Sequence, residues 1–81
     1  MSFADNVKRL RLVKSYSQSE LGALIGVSQQ MISDYENGRK IPTIETCVDL
    51  ARKLDTTVEQ LLDSGAETIG MNKTEVKSYG E

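Results

Sequence analysis

The stretch SQSELGALIGVSQQMISDYENG, residues Ser17 to Gly38, decides the fold. Ser17 and Glu20 stand in the Ser-x-x-Glu pattern of a capping box: the serine hydroxyl accepts from the amide three residues on, and the glutamate reaches back to the serine amide. A helix therefore starts at Gln18. Leu21, Leu24 and Ile25 fall at helical spacing and turn one apolar face inward, while Gly22 leaves the backbone bare where a second helix can approach closely. Gly26 ends the run, because the residue just past a helix often needs positive φ. Val27 tucks under the turn. Ser28 then caps a second helix, Gln29 to about Asn37, with Ile32 and Tyr35 facing the first and Gly38 closing it. Two helices joined by so short a turn cross steeply.

Outward from this pair the chain reads as helix throughout its first three quarters. Ser2 is placed to cap a first helix with Asp5 in its first turn, and Phe3, Val7, Leu10 and Val13 form its inward stripe up to Lys14. Ser15 and Tyr16 connect to the central pair. After Gly38, Arg39 to Pro42 form a loop, since proline bars its predecessor from helix. Thr43 caps a fourth helix from Ile44 to Leu54, with Val48, Ala51 and Leu54 apolar at i, i+3 and i+6 and Cys47 beside them. Asp55 and Thr56 break it. Thr57 and Gln60 repeat the capping box and start a short fifth helix through Leu62. The expectation is a compact, all-α, five-helix domain over residues 1–63. The tail from Ser64 to Glu81, interrupted by Gly65, Gly70 and Gly80, is either flexible or a segment for a protein partner or self-association.

A chain of 81 residues, 38% of them hydrophobic, has room for one small domain. Its core is marginal, so regular helix packing or self-association should supplement it. Cys47 is alone and histidine is absent, which excludes an intramolecular disulfide and leaves no zinc-ligand spacing. The expectation is a cytoplasmic protein, because no signal-peptide run is present and nothing approaches the ~20 apolar residues of a membrane span. Without histidine, a glycine-rich phosphate loop or a nucleophile beside an evident base, the chain offers no enzyme reading and calls for no cofactor. The net charge of −2 lies in the tail, since residues 1–62 balance eight Lys or Arg against eight Asp or Glu. Within that neutral body the cations gather as Lys8, Arg9, Arg11, Lys14 and as Arg39, Lys40. A local positive face is therefore possible without a basic protein, resting on a few placed phosphate contacts that weaken steeply with salt.

Residues 7–62 resemble the lambda-repressor-like (Cro/cI, XRE) helix-turn-helix family through LRLVKSYSQSELGALIGVSQQMISDYENGRKIPT and KLDTTVEQLL. The spacing of Gln18, Gly22, Gly26 and Ile32 fits the family motif, as do the Tyr-Glu-Asn-Gly run and the proline after it. Gly22 departs from the family's usual alanine, at about 1 kcal/mol of helix propensity. Asp55 stands where glycine or asparagine is usual, tolerable because aspartate visits the left-handed region. The resemblance also implies that Arg11 of the first helix pairs with Glu36, the glutamate before Asn-Gly, as a structural tie.

In a helix-turn-helix the second helix enters the DNA major groove, so its first turn meets base edges. Gln29 and Gln30 lie there, and a glutamine amide can bond adenine N6 and N7 together. Ser33, one turn on, is short enough to reach a base or phosphate. Asp34 either accepts from cytosine N4 or points to solvent. Ser17 and Gln18 at one helix start, Ser28 at the next, and Asn37, Arg39 and Lys40 beyond the reading helix are the expected phosphate contacts. Met31 either touches a thymine methyl or packs in the turn. The expected function is a sequence-specific, double-stranded DNA-binding transcriptional regulator, a repressor of prokaryote or phage type. It would act as a homodimer on a palindromic operator, joined through Val58, Leu61 and Leu62 with or without the tail. The rival expectation is an antitoxin or other interaction module whose DNA binding is autoregulatory.

Overall fold

The computed structural model describes residues 2–63. They form α1 (Phe3–Val13), α2 (Gln18–Ile25), α3 (Gln29–Glu36), α4 (Ile44–Lys53) and α5 (Val58–Leu62), with no strand among the described residues. The expectations for the tail fall outside this range. Each helix begins on a hydroxyl: Ser2, Ser17, Ser28, Thr43 and Thr57 accept from the amide three residues on, at 2.9 to 3.2 Å. That contact satisfies one of the amides a helix start leaves without a partner. At Ser17 the full reciprocal box forms, the Ser17 amide donating to Glu20 Oε1 at 2.8 Å. At Thr57 only half of the expected box forms, because the Gln60 carboxamide accepts instead from the Thr56 hydroxyl at 2.9 Å.

The turn between α2 and α3 is as tight as its residues predict. Gly26 adopts φ 77°, and the amides of Gly26 and Val27 both donate to the Gly22 carbonyl. A Cβ on Gly22 would stand 2.6 Å from the Val27 carbonyl oxygen and 3.1 Å from that of Ser28. The missing side chain therefore sets how closely the turn folds back on α2. Asp55 adopts φ 54° after α4, as expected of a residue replacing glycine there, and Ser15 does likewise with φ 60° after α1. Lys14 reaches across to pair with Asp55, tying these two corners together.

Val7, Leu21, Ile32, Tyr35, Leu50, Ala51, Leu54 and Leu61 make the core, ringed by Phe3, Leu10, Tyr16, Ile25, Val27, Met31 and Val58. Full burial of such aliphatic side chains contributes about 1.5 to 3 kcal/mol each. Helix α1 packs on α3 and α5, α2 on α3 and α4, and α4 also on α5. Phe3 meets Tyr35 edge to face with centroids 6.1 Å apart.

Several apolar assignments need correction. Val13 is 71% exposed, because at about 100° per residue the stripe begun at Phe3 has rotated some 80° by the last turn of α1. Leu24 is 43% exposed: the buried face of α2 runs through Leu21, Gly22 and Ile25 and leaves Leu24 on its flank. In α4 the buried stripe is Cys47, Leu50, Ala51 and Leu54, at i, i+3, i+4 and i+7, with Val48 only half-buried. Leu61 is wholly buried and Val58 packs against the core, so of the trio expected at a dimer contact only Leu62 is exposed.

One buried polar residue escaped the sequence reading. Asn6, on the inner side of α1, donates through Nδ2 to the carbonyls of Leu61 and Asp63, each at 2.9 Å, and of Gln60 at 3.4 Å. These carbonyls lie at and just past the end of α5, where a helix provides no i+4 amides, and that of Gln60 also accepts from the Asp63 amide at 3.3 Å. Asn6 thus caps α5 from 55 residues away in sequence, a role that local pattern cannot reveal.

Candidate nucleic-acid interface

Helix α3 lies with Ile32 and Tyr35 in the core, which turns Gln29 and Gln30 to the surface in its first turn. Ser28 fixes where the helix begins, since its hydroxyl accepts from the Met31 amide at 3.1 Å. Met31 itself packs against the core, the turn-packing alternative. Gln29 and Gln30 are therefore exposed in the first turn of a helix whose axis is anchored from behind, with the Gln30 carboxamide bonded to Asp34 one turn on.

That anchoring is electrostatic as well as apolar. Arg11 donates through Nε to Glu36 Oε2 at 2.6 Å and through Nη2 to Oε1 at 3.1 Å, while its Nη1 donates to the Tyr16 carbonyl at 2.9 Å. Glu36 also accepts from Gln18 Nε2 at 3.1 Å. The Glu36 side chain is 2% exposed, so the pair is buried, bidentate and further hydrogen-bonded. It joins the end of α3 to α1 and to the start of α2.

Gln18 is thereby partly committed to protein. One N–H of its amide goes to Glu36, leaving a second N–H and the Oε1 for another partner. Ser17 likewise has its amide and one lone pair engaged by Glu20, while its O–H remains able to donate. The helix start between them is the natural place for an anion, because first-turn amides and the helix dipole favour negative charge.

Beyond α3 the chain turns through Gly38 at φ 73°, and the amides of Arg39 and Lys40 donate to the Asp34 carbonyl at 2.8 and 3.4 Å. Both basic side chains are more than half exposed. Asn37 folds back on its own helix, its Nδ2 donating to the Ser33 carbonyl at 2.8 Å and to the Ser33 hydroxyl at 3.3 Å. Ser33 is half-buried and Asn37 exposed.

Asp34 does not point to solvent, contrary to one of its two expected readings. It is 8% exposed, and its Oδ1 accepts from Gln30 Nε2 at 3.1 Å and from Arg39 Nη1 at 3.4 Å, with Lys40 Nζ 3.8 Å from Oδ2. Arg11, Lys14, Arg39 and Lys40 all face carboxylates within the protein, whereas Lys8 and Arg9 are exposed on α1. The positive face is consequently weaker than the list of cations suggests, and Arg39 and Lys40 are the exposed cations that follow α3 directly.

Among the described residues no group of three or more His, Cys, Asp or Glu is arranged to hold a metal ion. No described helix is long and apolar enough to cross a membrane.

Comparison with known proteins places this geometry. Residues 7–61 match the helix-turn-helix family. The transcriptional regulator y4dJ of Sinorhizobium fredii is 40% identical over 63 residues, 78% of this chain and 82% of its own length. The transcriptional activator BcrR of Enterococcus faecalis is 32% identical over 78 residues; the match takes in 96% of this chain but spans only 38% of BcrR. Among solved structures, SinR, the master regulator for biofilm formation, in complex with DNA superposes with TM-score 0.71 at 32% identity, covering 75% of this chain and 98% of that one. The P22 c2 repressor bound to a synthetic operator gives TM-score 0.74 at 26% identity, covering 76% and 94%. With the motif, the five-helix architecture and these matches in agreement, the chain belongs to the lambda-repressor-like helix-turn-helix family of DNA-binding transcriptional regulators.

Proposed function

We propose that the chain represses transcription by binding a palindromic operator as a homodimer in the cytoplasm of a prokaryote or in a phage-infected cell, with α3 in the major groove. The observation that carries this reading is the surface position of Gln29 and Gln30 at the start of a helix braced from behind by the Arg11–Glu36 pair. Gln29 and Gln30 read bases, Ser33 stands one turn on, and Ser17, Gln18, Ser28, Asn37, Arg39 and Lys40 hold the strands beside the groove. Two α3 helices on a palindrome would sit about 34 Å apart, one turn of duplex. Of the apolar residues of α5, Leu62 alone remains exposed for self-association.

Selection from a pool of random duplexes with the purified 81-residue chain tests this reading. A two-fold symmetric consensus supports it. Enrichment of no sequence overturns it, and a half-site without symmetry overturns the homodimer. The DNA complexes of SinR and the P22 c2 repressor support the DNA-binding part of the reading.

A further inference from the structure

We infer that Asp34 is a positioning residue that sets adenine over guanine at the base pair facing Gln30, an inference that rests on the DNA-reading role proposed for α3. A free glutamine amide can be presented to a base in more than one way: one N–H donor beside the Oε1 acceptor, or both N–H donors together. Adenine's major-groove edge offers N6–H and N7, one donor beside one acceptor, whereas guanine offers O6 and N7, two acceptors. The amide must therefore be restrained if it is to prefer one purine.

Asp34 supplies the restraint. Its carboxylate has only acceptors, so the Gln30 carboxamide has to face it with nitrogen, and Nε2 lies 3.1 Å from Oδ1. One N–H is thereby consumed. What remains outward is one N–H beside Oε1, the complement of adenine, while the two-donor mode that suits guanine is blocked. The carboxylate keeps this place because it is 8% exposed and faces Arg39 and Lys40, which supply the compensating charge. An acidic residue on a DNA-facing helix, otherwise repelled by phosphate, thus acts on the base through its neighbour.

The test is binding by the full chain to two duplexes that carry the selected operator and differ only by A or G at the position Gln30 faces. That position is the one whose preference is lost in Gln30→Ala. The parent should favour adenine by about tenfold. Asp34→Asn keeps the shape but can turn its own N–H₂ toward Gln30 Oε1, freeing both Gln30 N–H groups, so the preference should narrow to about twofold. In the Gln30→Ala background the same Asp34→Asn change should leave the A/G ratio where it is, which a merely structural role would not predict. Thermal melting of each variant confirms that the fold is intact. An unchanged A/G preference both in folded Asp34→Asn and in folded Asp34→Ala, which has no acceptor to face Gln30, overturns the inference alone. Failure of the parent chain to select any site removes the DNA-reading role itself and the inference with it.

Discussion

The Arg11 guanidinium and the Glu36 carboxylate, 25 residues apart in sequence, form a bidentate pair with Nε–Oε2 at 2.6 Å and Nη2–Oε1 at 3.1 Å. It is the most enclosed ionic contact among the described residues, and it fixes the far end of the helix whose near end carries Gln29 and Gln30.

Breaking one side of that pair should be costly. Glu36→Ala leaves a buried guanidinium facing no charge, and about 3 to 5 kcal/mol of folding stability should be lost. Replacing both partners with apolar residues of similar volume should cost much less, because no charge is then stranded. Urea unfolding of the two single variants and the double variant measures the difference; a double-variant loss equal to the sum of the single losses would show that the two side chains are not coupled.

Gly22→Ala sets two effects against each other. Alanine gains about 1 kcal/mol of helix propensity over glycine, but the new Cβ would lie 2.6 Å from the Val27 carbonyl oxygen. Backbone has to move to admit it. The substitution should destabilise the domain in chemical denaturation, and a stabilised variant would mean that the turn relaxes freely.

Asn6→Asp keeps the side-chain shape but replaces the Nδ2 donor with an acceptor facing the carbonyls of Leu61 and Asp63. Loss of these buried hydrogen bonds should cost about 1 to 3 kcal/mol. Amide exchange in α5 should rise first. Unaltered protection there would show that α5 is held by Leu61 and Val58 alone.

Cys47 is buried, and burial pushes its thiol above the usual range. At mildly alkaline pH it should react with iodoacetamide far more slowly in the native protein than in urea. Because the native thiol keeps its proton to higher pH than the unfolded one, its contribution to stability is complete below the unfolded pKa and is lost as pH rises through the folded value. Equal labelling rates in the two states would contradict the buried assignment.

These residues also show what the sequence could reveal. Caps, turn glycines and helix order are local, and Ser17, Glu20, Gly26 and Ser28 act within a few residues of where they stand. The Arg11–Glu36 tie was legible only through the family resemblance. Asn6 stayed hidden because its partners lie at the other end of the domain. The burial of Asp34 was hidden for a related reason: its environment is made by Gln30, Arg39 and Lys40 together, and only the return of the loop after Gly38 brings those cations to it. The exposed Val13 and Leu24 mark where periodicity identifies a helix yet misses which edge of its stripe is covered.

Arg39, tethered to Asp34 at 3.4 Å but 62% exposed, can swing to a phosphate while Lys40 stays facing the Asp34 carboxylate. Arg39→Ala should weaken binding to all duplexes alike and flatten the log–log salt dependence by about one unit. An unchanged slope would remove Arg39 from the strand contacts.

The most direct measurement compares the affinity of Gln29→Ala and Gln30→Ala for the selected operator with their affinity for scrambled duplex at fixed salt. Each should lose about 1 to 3 kcal/mol on the operator and little on scrambled DNA. Losses of equal size on both duplexes would contradict base reading by the start of α3.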